Sequence, residues 1–446
     1  MGNGFETRAY YTIVGRQQRW GEAEWRRYLD AAAEDGCNLV TLWIAGAFAS
    51  RRFPTTWDYN RDHPNVRSDF LGRVIDHAHN LGIKIALGFG TFCYDGVNRI
   101  PLAHPELAGR TETGEPVRMI GLHSIGQLMC ASQPAAHDAM AEYVREMYLD
   151  FYPQADGLFM ESADYGHCVC SDCRDDYFAK EHDLVMRLSE IAWAHRPDAL
   201  SIIYPHYLLR AGRPVDPRQT LFFTVHSAPL DDAAIAAARS SMYWTLALET
   251  SCDGVAEACR LAAADGVGGF SLGMEPLEYE RDAVEIAEDG FDEQLVPYDA
   301  RWLSVGQFPF EDLVVKVVRI AFRVYTAAPE ATEDDLCRAI ARTMLGSDQR
   351  SAEARDLLAL HRLLSMDIRS FKRRGPIAYP TDFPPPWWTP EQIAEAKARY
   401  RQALARLEAI AQRHRGSDLP ALAEAARIAD WILARWADER HRLEGA

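Results

Sequence analysis

The chain has 446 residues, a formal net charge of −17 at pH 7, 48% hydrophobic and 25% charged residues. This length buries a large core, and roughly 250 residues is a common length for one α/β barrel, so one big domain with an appendage fits better than three equal ones. The composition is that of an ordinary globular protein, and the acidic balance argues against nucleic acid or an anionic membrane as partner, since both present negative surfaces.

Acidic carbohydrate stays open, because local arginines can outweigh the global sign. The N-terminus lacks a basic start followed by an apolar core, and no segment of about 18 uninterrupted apolar residues follows, so a cytoplasmic location is expected. Nine cysteines are an odd number. Cys37, Cys252 and Cys259 fall in helix or strand patterns, where a free thiol packs as a small core residue, and reduced cysteines plus one metal site explain the set better than disulfides.

Over the first 275 residues, short apolar, β-branched or aromatic runs alternate with longer amphipathic ones. The runs predict eight strands, at Arg8 to Val14, Asn38 to Ile44, Lys84 to Thr91, Gly157 to Glu161, Leu200 to His206, Leu221 to His226, Met242 to Glu249 and Gly268 to Met274. Between them the periodicity predicts helices such as Glu22 to Glu34, Asp69 to Leu81, Ala135 to Tyr152, Asp176 to His195, Asp231 to Ser240 and Gly254 to Ala264. Gly36, Gly82 and Gly266 stand just past three of these, where a left-handed cap is expected. Eight such units closing on themselves predict a (β/α)8 TIM barrel. The alternative is a doubly wound open sheet, but no Gly-x-Gly-x-x-Gly follows the first strand.

In such barrels the reactive groups come from the C-terminal strand ends. Trp43, Phe92, Glu161, Tyr204, His206, His226, Trp244, Glu249 and Glu275 gather there. The third loop is long, from about Phe92 to Pro134, and holds Arg110, Arg118 and His123, which suit contacts to an acidic sugar. Beyond about residue 300 the pattern turns mainly helical, interrupted by a Pro-rich connector from Pro376 to Pro390. The domain reading is therefore 1–300 for the barrel and 301–446 for a helical region that packs on the barrel or on a partner chain. Assembly into a homo-oligomer is compatible with this.

Two constellations carry chemistry. Cys168, Cys170 and Cys173 have thiolate spacing suited to a tetrahedral metal but supply three ligands of four. Cys130, just before the helix leading into the fourth strand, and His167 compete for the fourth place. Four thiolates would make a closed, structural zinc site, because catalytic zinc keeps an open position for water. Glycoside cleavage needs two facing carboxylates, about 5 Å apart in retaining enzymes and farther in inverting ones. Glu161, ending strand four, and Glu249, ending strand seven, suit a retaining pair, with Asp164 and Glu275 as rival carboxylates. Burial is expected to keep Glu161 protonated. Trp43, Phe92, Tyr204 and Trp244 are candidate stacking platforms for sugar rings, and His206 and His226 candidate hydroxyl binders.

The run Leu102-Ala-His-Pro-Glu-Leu, then Cys130-Ala-Ser-Gln-Pro, a helix, and Met160-Glu-Ser-Ala-Asp-Tyr-Gly-His-Cys-Val-Cys-Ser-Asp-Cys resembles glycoside hydrolase family 42, the β-galactosidases. The specific likeness covers roughly residues 102 to 178. It implies a retaining hydrolase of terminal sugars, with Glu161 as acid/base, Glu249 as nucleophile and a structural zinc on Cys130, Cys168, Cys170 and Cys173. The family has Asn where this chain has Met160, and that Asn binds the sugar 2-hydroxyl, so an altered specificity is expected. The chain is also shorter, and helical where the family carries further domains. Cysteine clusters after strand four occur too in barrels resembling α-glucuronidases and family 20 hexosaminidases. The alternatives are therefore an inverting or substrate-assisted glycosidase, or a non-catalytic carbohydrate-binding barrel.

Overall fold

The computed structural model describes residues 4–13, 20–94, 96–120, 125–163, 166–204, 212–224, 232–246, 252–274, 313–371 and 389–445. Eight parallel strands close into a barrel: β1 (Thr7–Ile13), β2 (Leu39–Trp43), β3 (Lys84–Gly90), β6 (Gly157–Glu161), β7 (Leu200–Ile203), β8 (Gln219–Thr224), β9 (Ser240–Leu246) and β10 (Gly269–Gly273), with β10 returning to β1. The predicted (β/α)8 TIM barrel is present. β4 (Arg118–Ile120) and β5 (Ile125–Gln127) form a separate antiparallel hairpin inside the long third loop.

The barrel interior is filled by aromatic side chains at alternate strand positions. Tyr11 meets Phe159 and Trp244, each at 5.6 Å between ring centroids, and Phe222 lies 4.9 Å from Phe159 and 5.6 Å from Trp244. Large rings from four strands leave a packed core rather than a pore.

The helices around the barrel follow from periodicity and end signals. α1 (Glu22–Glu34) opens with Glu22 and Glu24 in its first turn, where carboxylates complement the helix dipole, and Glu24 also accepts from the Gly21 N–H at 2.9 Å. Gly36, Gly82 and Gly266 have φ of 79°, 75° and 68°, the left-handed values expected of caps. α2 (Pro64–Ser68), α3 (Leu71–Asn80) and α4 (Ile100–Ala103) precede α5 (Pro134–Arg145). α5 continues as a wider π-helical turn over Glu146–Phe151, where the sequence predicts one unbroken helix. There Glu146 is buried and accepts from Ser50 Oγ at 2.7 Å and from the Arg51 N–H at 2.8 Å, so the extra residue in the turn coincides with an anchor for the second loop. α6 (Tyr177–His195) and α7 (Asp232–Ala237) complete this part, and α8 (Cys252–Ala264) follows β9 in the chain.

The chain divides into two compact units: Phe5–Thr245 with Leu261–Leu295, which holds the barrel, and Met1–Gly4, Leu246–Arg260 and Val296–Ala446. The second is helical: α9 (Leu313–Ala327), α10 (Glu333–Leu345), α11 (Ser351–Phe371), α12 (Pro390–His414) and α13 (Pro420–Gly445). Thr332 and Asp335 cap the start of α10 reciprocally, and Arg362 bridges Asp253 and Glu333. No helix among the described residues is long and apolar enough to cross a membrane.

Candidate active site

β6 is buried along Gly-Leu-Phe-Met, and only its last residue, Glu161, is half-exposed. In register it stands opposite Gly90 of β3. The Thr91 N–H donates to the Glu161 carbonyl oxygen at 2.9 Å. Beyond β3 the chain doubles back: a Cβ on Gly90 would lie 2.2 Å from the Cys93 carbonyl oxygen, and Tyr94 is held at φ 59°.

A second carboxyl belongs to this place. Glu181 on α6 is wholly buried; Ser162 Oγ donates to it at 2.6 Å and the Thr91 hydroxyl also donates to it. Burial pushes its pKa from 4.5 up to about 7, against the lowering effect of the Ser162 and Thr91 hydrogen bonds. The fully buried carboxyl at this end of β6 is thus Glu181, while Glu161, expected to be the buried one, is half-exposed. Glu181 is absent from the residues singled out above. Its signal lies in the apolar stripe of α6, where Tyr177, Leu184, Val185 and Leu188 are buried and a carboxylate interrupts them.

The four cysteines come together. Cys130 follows the third-loop hairpin, and Cys168, Cys170 and Cys173 follow β6. Cys130 Sγ is 3.6, 3.8 and 3.7 Å from the sulfurs of Cys168, Cys170 and Cys173, and all four lie within 4.8 Å of one another. Sulfurs held at about 2.3 Å by one tetrahedral ion stand roughly 3.8 Å apart, so the donor set fits zinc. The Arg110 N–H donates to Cys168 Sγ at 3.2 Å, and the Val169 N–H to the Arg110 carbonyl at 2.8 Å, binding the third loop to the loop after β6. Hydrogen bonds from Cys168 and Cys173 hold the Cys130 thiol far below its usual range, while sharing with Cys130 pushes Cys168 up to about 11. His167, the competitor for the fourth place, instead packs on Tyr177 and Phe178 with centroids 4.9 and 5.2 Å away.

The aromatic candidates divide by burial. Phe92 is 0% exposed and packs against His137 and Tyr177, so it offers no face to a sugar and is a wall residue, contrary to the expectation of a platform. Trp43 and Tyr204 are also buried, and Trp244 is half-buried, stacked on Phe222. The indole N–H groups of Trp43 and Trp244 make no hydrogen bond among the described residues. Glu249, Asp164, Glu275, His206, His226 and His123 lie outside the described residues.

No protein-family model and no curated protein sequence matches the chain. Among solved structures the fold is similar to a glycoside hydrolase family 138 enzyme targeting pectin rhamnogalacturonan II, with TM-score 0.57 and 9% identity, over 96% of this chain and 57% of that one. It is also similar to a β-N-acetylhexosaminidase from Bacteroides fragilis, with TM-score 0.51 and 12% identity, over 78% of this chain and 71% of that one. The chain thus spans little more than half the length of the first enzyme, and at these identities the likeness establishes a shared barrel fold.

Proposed function

We propose that the chain is a glycoside hydrolase acting at the C-terminal mouth of the barrel, with Glu161 protonating the leaving oxygen and then activating water. The observation that carries this is the placement of Glu161 as the half-exposed last residue of the fourth barrel strand, its backbone pinned by Thr91. The fold likeness to the family 138 enzyme supports it. In a retaining scheme Glu249 attacks the anomeric carbon. The likeness of residues 102 to 178 to family 42 favours a β-galactosidase-like substrate. The fold likeness to the Bacteroides hexosaminidase favours equally a substrate-assisted reaction, in which an acetamido group of the sugar takes the nucleophile's place.

Aryl glycosides of galactose, N-acetylhexosamines and uronic acids separate these readings. Hydrolysis of one class, lost in Glu161→Gln with the fold intact, is the expected result; unaltered turnover in that variant would end the assignment. Binding without release by the unaltered protein would favour a non-catalytic barrel. NMR of the first-formed anomer distinguishes retention from inversion.

Cys130, Cys168, Cys170 and Cys173 would hold a zinc ion. The ion would supply positive charge that neutralises the thiolates and a cross-link between two loops; four thiolates leave no position for substrate, so the reaction does not pass through it. About one equivalent of zinc is expected in protein purified without added metal. Less than that, together with four titratable thiols, would refute the site.

A further inference from the structure

We propose that Glu181 is a positioning residue for Glu161: from the helix side it holds both Thr91 and Ser162, the residues that flank the catalytic carboxylate across and along the sheet. This rests on the reading of Glu161 as the acid.

Thr91 follows β3 and Ser162 follows β6, so the two Glu181 oxygens span adjacent strand ends. The Thr91 hydroxyl also lies 3.3 Å from the Glu161 carbonyl oxygen, beside the 2.9 Å bond from its own N–H. That hydroxyl carries one hydrogen. Ionised Glu181 only accepts, so it commits the hydrogens of both hydroxyls. Protonated Glu181 donates one bond, and when it donates to Thr91 the threonine hydrogen turns to Glu161. The arrangement at Glu161 therefore depends on the proton of Glu181, whose burial brings it near neutrality.

Among the described residues, the ionisable groups nearby include the buried Tyr177 phenol, one turn earlier on α6, whose pKa burial raises, Cys93 from the turn after β3, and Glu161 itself from β6. A residue that merely fills space here would be apolar, as Leu184 and Val185 are. A buried carboxyl whose two oxygens serve the neighbours of one half-exposed carboxylate is a poor space-filler, because its desolvation has to be offset.

Two measurements test this. With substrate, Glu181→Leu loses both hydrogen bonds, whereas Glu181→Gln keeps the shape, accepts from one hydroxyl and donates to the other. Glu181→Leu is expected to lower kcat about 100-fold with KM within about twofold, and Glu181→Gln to restore it to within about threefold of wild type. Should Glu181→Leu fail to fold, Ser162→Ala and Thr91→Val each remove one partner, with about tenfold losses in kcat expected. Without substrate, the 13C signal of the Glu161 carboxyl, assigned through Glu161→Gln, is expected to titrate in two steps, the second lost in Glu181→Gln. A single step that is the same in both proteins, or wild-type kcat in Glu181→Leu, overturns the positioning role. Glu161→Gln inactive beside a fully active Glu181→Leu would leave the glycosidase reading standing and remove only this one. Full turnover by Glu161→Gln would remove the reading on which it rests.

Discussion

Glu181 makes the stability of the barrel depend on pH with a calculable sign. Its carboxyl is wholly buried and raised from 4.5 to about 7. Between those values the native protein holds a proton that the unfolded chain has released, so stability falls as pH rises. Below 4.5 both states are protonated and the penalty vanishes; above 7 both are ionised and the penalty is complete, at about 3 kcal/mol. Glu181→Gln puts a neutral group of the same shape between Thr91 and Ser162, removing the ionisation but keeping two hydrogen bonds. Urea denaturation of both proteins at pH 5 and pH 8 reads the difference. The glutamine variant should gain roughly 2–3 kcal/mol on wild type between the two. A difference between the proteins that does not change with pH would refute the burial of an ionisable carboxyl at this position.

The cysteine cluster closes a separation of 38 residues between Cys130 and Cys168. A zinc ion held there, as proposed, would cross-link the chain at about 4 kcal/mol by chain entropy, so Cys130→Ser or a chelator should lower the melting temperature of the barrel by roughly 6 °C, and an unchanged melting curve would remove the clamp. Gly90→Ala places a Cβ 2.2 Å from the Cys93 carbonyl oxygen, a backbone atom that cannot swing aside. It should cost about 1–3 kcal/mol and lower hydrolysis, because the turn it displaces presents Thr91 to Glu161. Gly82→Ala meets nothing within 4 Å and is strained only by its φ of 75°, so it should cost about 1 kcal/mol and leave hydrolysis unchanged. Melting curves and initial rates of the two variants separate these effects.

The barrel was legible because its strands are short apolar runs bounded by glycine or polar residues; the predicted span of β6, Gly157 to Glu161, coincides with the observed one. Glu22 to Glu34 coincides as well, since an acidic first turn and a following glycine mark its ends. The third-loop hairpin was invisible because its strands have three residues each, too few for any alternation. The end of the α-helix at Arg145 was equally hidden: its apolar spacing runs on, and what changes the winding coincides with a contact to Ser50 and Arg51, nearly a hundred residues away. The grouping of Cys168, Cys170 and Cys173 could be anticipated because thiols within six residues of each other have few packing reasons to be there, and Cys130 entered by its place just before the helix leading into the fourth strand. Glu181 is a lone carboxylate: its place in the apolar stripe of α6 marks it as buried, but its role depends on Thr91, ninety residues earlier.

The cysteine cluster and Glu161 are joined by a continuous chain of bonds. The Tyr177 N–H donates to the Cys173 carbonyl at 2.9 Å, which starts α6 from the cluster itself. One turn later Glu181 takes the hydroxyl hydrogens of Thr91 and Ser162, and Thr91 donates its N–H to Glu161. The same two loops are therefore tied twice, by sulfur through Cys130 and by hydrogen bonds through Glu181. A cluster that takes no chemical step should then still be felt in the reaction, because loosening the start of α6 loosens Glu181 and, through it, the acid. With zinc held by the four cysteines and Glu161 as the acid, as proposed, chelation is expected to lower kcat at temperatures where the protein stays folded, with KM nearly unchanged, since what is lost is the aim of a proton donor rather than a contact to the sugar. If the chelated protein melts earlier yet keeps its kcat below the transition, the two ties act independently and the cluster only stabilises the fold.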